Sequence, residues 1–152
     1  MIAAPYRVAS AVVLLDQASK ALALRQLTPH GSAELVPGLL QQRLVFNTGA
    51  AFSLFTGNTV WLGLISALVA AGLVLWIQTA GPLRRLQWFA LGLLLGGAIG
   101  NGLDRWRLGR VVDFLEFIPV TFPVFNVADV AINLAVLCLV LDGLRVHAVR
   151  SH

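Results

Sequence analysis

The chain has 152 residues, of which 58% are hydrophobic and only 12% charged. Soluble domains average roughly 25% charged and 45–50% apolar residues, so this composition excludes an ordinary soluble fold. A mean hydropathy of +0.82 points to a bilayer instead. One cysteine excludes an intramolecular disulfide and a cysteine-rich metal cage, and His30, His147 and His152 are too scattered for a helical zinc motif. The pI of 10.6 comes from ten arginines and one lysine spread along the chain, which suits a membrane surface and argues against a nucleic-acid-binding block.

At about 20 residues per crossing, four spans are predicted, over residues 8–27, 60–78, 86–103 and 127–145. The first carries Asp16, Gln17 and Lys20 in its middle. Arg7 before it and Ala21-Leu22-Ala23 within it suggest a cleavable signal peptide, but the charges interrupt the apolar core, so a retained span is expected. In the loop over 34–57, Leu39–Phe46 and Ala50–Phe55 flank Asn47-Thr48-Gly49, good turn residues that predict a short β-hairpin. Val60 to Ile77 is free of charge, with Trp61 and Trp76 near its ends at headgroup level. Leu86 to Leu103 is equally free of charge and crowded with Gly92, Gly96, Gly97, Gly100 and Gly102, whose spacing allows close helix contact. A second loop follows over 104–126, and the fourth span has Asp129 near its start and Asp142 near its end. The expected fold is an all-α membrane protein, a single domain of four transmembrane helices with a small antiparallel β-hairpin on one side. Arginines tie at five on each side, so charge alone orients the bundle only by a lean toward inside termini.

Ionisable residues within a span are expensive and mark either a functional site or a structural ion pair. Asp16 and Lys20 are four apart and face each other, and a pair that locks the first helix to its neighbours is the plainer reading. Asn101 and Arg105 share a face beside Asp104; they either end the helix at the headgroups or organise a polar site there. Asp129 suits a helix first turn with Asn126 as N-cap, and Asp113 suits a solvated loop. The alternative is that both carboxylates meet at the outer ends of the last two spans. Two such groups in contact share one proton: the charged one can take a proton from water while the protonated one donates to a carbonyl oxygen. The other peptidase chemistries lack their parts, because no histidine lies within a span and Cys138 sits deep in an apolar run without a base.

Four blocks then recur in order: Asp16-Gln17-x-x-Lys20; Asn47-Thr48-Gly49-Ala50-Ala51-Phe52-Ser53; Gly96-Gly97-Ala98-x-Gly100-Asn101-x-x-Asp104-Arg105 leading to Gly109-x-Val111-Val112-Asp113-Phe114; and Phe125-Asn126-x-Ala128-Asp129. In this order the chain resembles the bacterial lipoprotein signal peptidase family, also called signal peptidase II, from about residue 10 to 142. The resemblance implies an aspartyl peptidase that removes the signal peptide from diacylglyceryl-modified prolipoproteins just before the lipidated cysteine. It assigns the dyad to Asp113 and Asp129, and the polar surroundings or substrate contacts to Asp16, Lys20, Asn47, Gly49, Asn101, Asp104, Arg105 and Asn126. It implies no cofactor and no metal, membrane lipid as surroundings, a monomer, a small extracytoplasmic β-cradle and both termini cytoplasmic in the inner membrane. The rival class is a small proton- or cation-coupled carrier titrating at Asp16 or Asp129. Against it, most of the acids gather at one membrane face, whereas carriers bind near the midplane.

Overall fold

A computed structural model describes residues 3–28, 31–49 and 58–150, with side chains described as far as 145. The order of elements is α1 (Ala3–Gln26), β1 (Ser32–Val36), β2 (Leu40–Asn47), α2 (Thr59–Thr79), α3 (Arg85–Leu108), β3 (Val111–Phe117) and α4 (Val127–Arg150). Among the described residues α2, α3 and α4 as far as Arg145 are long and apolar enough to cross a membrane. Helix α1 is as long as α3 but is not among them, because Arg7, Asp16, Lys20 and Arg25 punctuate it.

Helix α3 is the axis. It packs against α1, α2 and α4, while α1 touches α4 more lightly. Its glycines make this possible, because they let three neighbours approach one backbone. A Cβ on Gly96 would lie 2.6 Å from Val12 Cβ on α1, and one on Gly97 would lie 2.6 Å from Ile132 Cγ1 on α4. A Cβ on Gly102 would meet Ser66 of α2 at 3.2 Å. Such close approach replaces the hydrophobic drive that lipid does not supply between helices. Around this axis Ala9, Leu73, Ile77, Leu91 and Leu95 pack α1, α2 and α3 together, and Val12, Ala90, Leu93, Ala131 and Ala135 pack α1, α3 and α4. Leu64 and Leu68 of α2 and Val136, Leu137 and Val140 of α4 stay exposed, as lipid-facing side chains do.

Each end of α3 is specified locally. The Arg84 backbone N–H donates to Gln87 Oε1 at 3.1 Å, and the Arg84 guanidinium pairs with Asp142, tying α3 to the far end of α4. At the other end Gly109 adopts φ +67° and its N–H returns to Arg105 O at 3.2 Å, a left-handed cap that stops the helix. The helix therefore runs to Leu108, five residues beyond the predicted span, before the chain turns into β3.

The sheet differs from the hairpin predicted around Asn47-Thr48-Gly49. Its order is β1-β2-β3, all antiparallel, and the tight turn lies at Val36-Pro37-Gly38-Leu39. Gly38 has φ +70° and Leu39 N–H donates to Val36 O at 3.0 Å, as expected for proline and glycine at the two central turn positions. Strand β2 pairs on its other edge with β3, from Leu40 opposite Phe117 to Asn47 opposite Val111. Thr48-Gly49 leaves the sheet through a turn in which Gly49 N–H donates to Asn47 Oδ1 at 2.9 Å. The predicted second arm, Ala50–Phe55, lies outside the described residues.

Adding one methyl at Gly97 forces Ile132 and the Ala128 carbonyl away from α3. Gly97→Ala is expected to lower stability by about 1–3 kcal/mol in thermal unfolding of the detergent-solubilised protein. Gly72→Ala, whose Cβ meets nothing within 4 Å inside α2, is expected not to lower the midpoint.

Candidate active site

The site grows from a buried ammonium. Lys20 is 2% exposed, and its three N–H donors meet three acceptors: Asp16 Oδ2 at 2.8 Å, Asp104 Oδ2 at 2.9 Å and Asn101 Oδ1 at 3.0 Å. The spacing of Asp16 and Lys20 on α1 makes the first contact, and the spacing of Asn101 and Asp104 on α3 makes the other two.

Each partner spends its remaining capacity on the next element. Asp16 Oδ1 accepts the Ala128 backbone N–H at 2.9 Å, so a carboxylate from α1 caps the first turn of α4. Asp104 Oδ2 accepts the Val112 N–H at 3.1 Å and thereby fixes the start of β3. Asn101 donates from Nδ2 to Asp129 Oδ1 at 2.8 Å. Gln17 closes the layer, donating to Asp104 Oδ1 at 2.9 Å and to Gly100 O at 3.3 Å.

Asn126, fully buried, connects the two candidate acids. Its Nδ2 donates to Asp113 Oδ1 at 2.6 Å and to Asn101 Oδ1 at 3.1 Å. Its backbone N–H donates to Asp129 Oδ2 at 3.1 Å, and Asp129 N–H returns to Asn126 Oδ1 at 2.9 Å. This reciprocal pair is a capping box at the start of α4, with aspartate at its third position. The N-cap reading of Asn126 and Asp129 therefore holds at the same time as their place in the polar cluster. Asn47, at the end of β2, donates to Asp113 Oδ2 at 3.1 Å. Arg105 donates from Nη2 to Gly49 O at 3.2 Å and from Nη1 to Asn101 O at 3.3 Å, and its buried Nε has no partner among the described residues.

All ten residues singled out in the sequence thus lie in one connected network. Asp113, read from the sequence equally well as a loop acid, sits within β3 and is only 2% exposed. Asp129 is half-buried and so faces the more open side. Two further members, Gln17 and Gly100, stood in the sequence motifs without a site role assigned to them. Gly100 matters for space as well as helix contact, since a Cβ there would lie 2.7 Å from Asp16 Oδ2.

Electrostatically the cluster is short of cations. Among the described residues it holds four carboxylates (Asp16, Asp104, Asp113 and Asp129) against Lys20 and Arg105, with the exposed Arg107 at its edge donating to Gln17 Oε1 at 3.2 Å. Burial is the main cause that pushes Asp113 up from 3.8 to about 6, and the nearby Asp129 carboxylate adds to it, against the opposing amides of Asn47 and Asn126. Among the described residues no group of three or more His, Cys, Asp or Glu could hold a metal ion.

Comparison with known proteins bears on the chain as a whole. The family model for signal peptidase (SPase) II matches residues 8–145. The chain belongs to the signal peptidase II family. It is 54% identical over 135 residues to a lipoprotein signal peptidase of Parasynechococcus marenigrum (strain WH8102), covering 89% of this chain and 85% of that one. Identity with the lipoprotein signal peptidase of Gloeobacter violaceus (strain ATCC 29082 / PCC 7421) is 47% over 133 residues, covering 88% of this chain and 77% of that one. Among solved structures, a bacterial membrane enzyme determined by the in meso method at 2.3 Å superposes with a TM-score of 0.87 at 28% identity, over 93% of this chain and 87% of that one. Membership makes the chain a membrane peptidase of this family and sets aside the carrier reading.

Removing the ammonium leaves Asp16 and Asp104 facing each other without a counter-charge. Lys20→Met is expected to destabilise the folded protein by about 3–5 kcal/mol, measured by thermal unfolding in detergent. The pH dependence carries the opposite sign from an ordinary paired carboxylate. Between about pH 4 and 6 the folded state holds a proton on Asp113 that the unfolded chain has released, so this group's contribution to stability falls as pH rises through that window. Thermal midpoints of the parent are expected to fall relative to those of Asp113→Asn as pH goes from 4 to 7, and parallel curves would contradict the raised value.

Proposed function

We propose that this peptidase cleaves the signal peptide from diacylglyceryl-modified prolipoproteins just before the lipidated cysteine, with Asp113 and Asp129 as an aspartyl dyad. The observation that carries the reading is that both carboxylates hang on Asn126, one from its side-chain amide and one from its backbone N–H. In this reading α1 is the fourth span, its charged pair turned inward onto α3. Both termini lie in the cytoplasm, the sheet lies on the extracytoplasmic side of the inner membrane, and the enzyme works as a single domain and a monomer.

The dyad shares one proton because two adjacent carboxylates short of cations do not both ionise. A water held between them loses a proton to the charged carboxylate as its oxygen attacks the scissile carbonyl. The protonated partner donates to the carbonyl oxygen, giving a tetrahedral diol. Collapse returns the proton to the leaving amine, which is the nitrogen of the lipidated cysteine, and restores the starting pair. The macroscopic proton belongs to the pair and not to either acid. Asn47 and Asn126 hold Asp113 in one orientation, and Asn101 does the same for Asp129. Arg105 ties the exit of β2 to α3, keeping the sheet over the dyad. The lipid on the cysteine keeps the scissile bond at the bilayer surface, level with the end of α3 and the start of α4, while its acyl chains stay in lipid.

A gel-shift assay with purified protein and a diacylglyceryl-modified prolipoprotein tests this directly. Cleavage is expected from the parent, with a loss of at least about 10²–10⁴-fold in Asp113→Asn and in Asp129→Asn, both still folded. EDTA is expected to leave the rate unchanged. Substantial turnover by either folded variant, or loss of activity on chelation, would overturn the aspartyl dyad.

A further inference from the structure

Helix α4 carries one polar side chain that the network above does not use. Asn133 lies one turn beyond Asp129, on the same face, and is exposed. Its Nδ2 donates to Asp129 O at 2.9 Å, and it makes no other hydrogen bond among the described residues. One amide proton and the whole of Oδ1 are left over. Around it the exposed side chains of α4 are apolar: Val130, Leu134, Val136 and Leu137.

An unsaturated amide on a lipid-facing stripe is unfavourable, and polar groups within a span ordinarily face a protein partner or a polar cavity. Among the described residues no helix supplies that partner. Among the described residues α2 and α4 pack little against one another, since both are held apart on the flanks of α3. The side of α4 that runs from half-buried Asp129 through Asn133 is therefore open among the described residues. A substrate whose scissile bond rests at Asp129 has its signal segment continuing from there toward the apolar interior, along that side.

We infer that Asn133 is a substrate-binding residue: its free amide hydrogen-bonds the backbone of the bound signal peptide, accepting a peptide N–H at Oδ1. This rests on the peptidase reading above. One helical turn is about 5.4 Å deeper than Asp129, and an extended peptide advances about 3.4 Å per residue, so the contact falls about two residues before the scissile bond. A peptide backbone there has left water without entering a helix, and its unpaired N–H groups need acceptors. Asn133 supplies one to any sequence, so it contributes affinity and register without selecting side chains.

The test uses the full chain in lipid nanodiscs and a synthetic diacylglyceryl-cysteine peptide bearing a fluorophore, read as Kd by anisotropy and as kcat and KM by cleavage. Asn133→Leu is expected to raise Kd and KM about three- to tenfold with kcat and the pH profile unchanged, the loss of one ordinary hydrogen bond. Asn133→Gln is expected to recover part of that loss. N-methylation of the peptide at the second or third residue before the scissile bond is expected to weaken binding to the parent by a similar factor and to weaken binding to Asn133→Leu no further. Equal Kd for parent and Asn133→Leu, or an N-methyl effect of the same size in both, would overturn the inference while leaving the peptidase reading intact. Binding without cleavage by the parent would refute the dyad, and the Kd comparison would still decide Asn133. Neither binding nor cleavage would overturn both.

Discussion

A protonated lysine that cannot reach water has to have every donor matched inside the protein, and Lys20 meets that demand with one acceptor from its own helix and two from α3. Leaving any of the three unmatched would strand a buried charge, a penalty of several kcal/mol. The match requires α1 and α3 to lie at one depth and one rotation, and Gly100 supplies the room by leaving space for the Asp16 carboxylate. From there the constraint propagates. The second oxygen of Asp16 fixes the start of α4, the second hydrogen bond at Asp104 Oδ2 fixes the start of β3, and these are the two places from which Asp129 and Asp113 project.

Asp16 and Asp104 are therefore best understood as the frame of the site. Both hold a backbone N–H group and share one ammonium. Asp113 and Asp129 differ because amides, and not cations, are their direct partners. An amide orients a carboxylate without neutralising it. Burial, aided by the nearby Asp129 carboxylate and opposed by these amides, holds Asp113 at about 6.

The glycines of α3 and the frame work in the same direction. Close approach of α1 and α4 to α3 brings the polar layer to the short distances it needs, and the polar layer holds those helices in register. Helix α2, attached to α3 through Leu73 and Ile77, stays clear of α4. Among the described residues an open flank beside Asp129 follows from this asymmetry.

Much of the helical frame was legible in the sequence, because lipid imposes long uninterrupted apolar runs that composition reveals directly. The four helices overlie the predicted spans, but α1 begins five residues early at Ala3, α4 ends five residues late at Arg150, and α3 ends five residues late at Leu108, where a glycine cap marks a boundary that hydropathy does not register. The rarity of Asp16, Lys20, Asn101 and Asp129 in or beside such runs made them stand out for the same reason. The sheet was not legible in this way. Its pairing joins β2 to β3 across more than sixty residues of chain, and periodicity carries no information on which strands meet. Pro37-Gly38 was a turn signal in plain view, yet Asn47-Thr48-Gly49 competed with it, and only the position of β1 decides between them. The sequence by itself determined a membrane bundle with a polar cluster at one end, since an expensive residue in an apolar run announces itself. Only tertiary structure decided which carboxylates brace the frame and which are left with amide partners, because that division depends on the N–H groups brought to each oxygen by helices and strands distant in the chain.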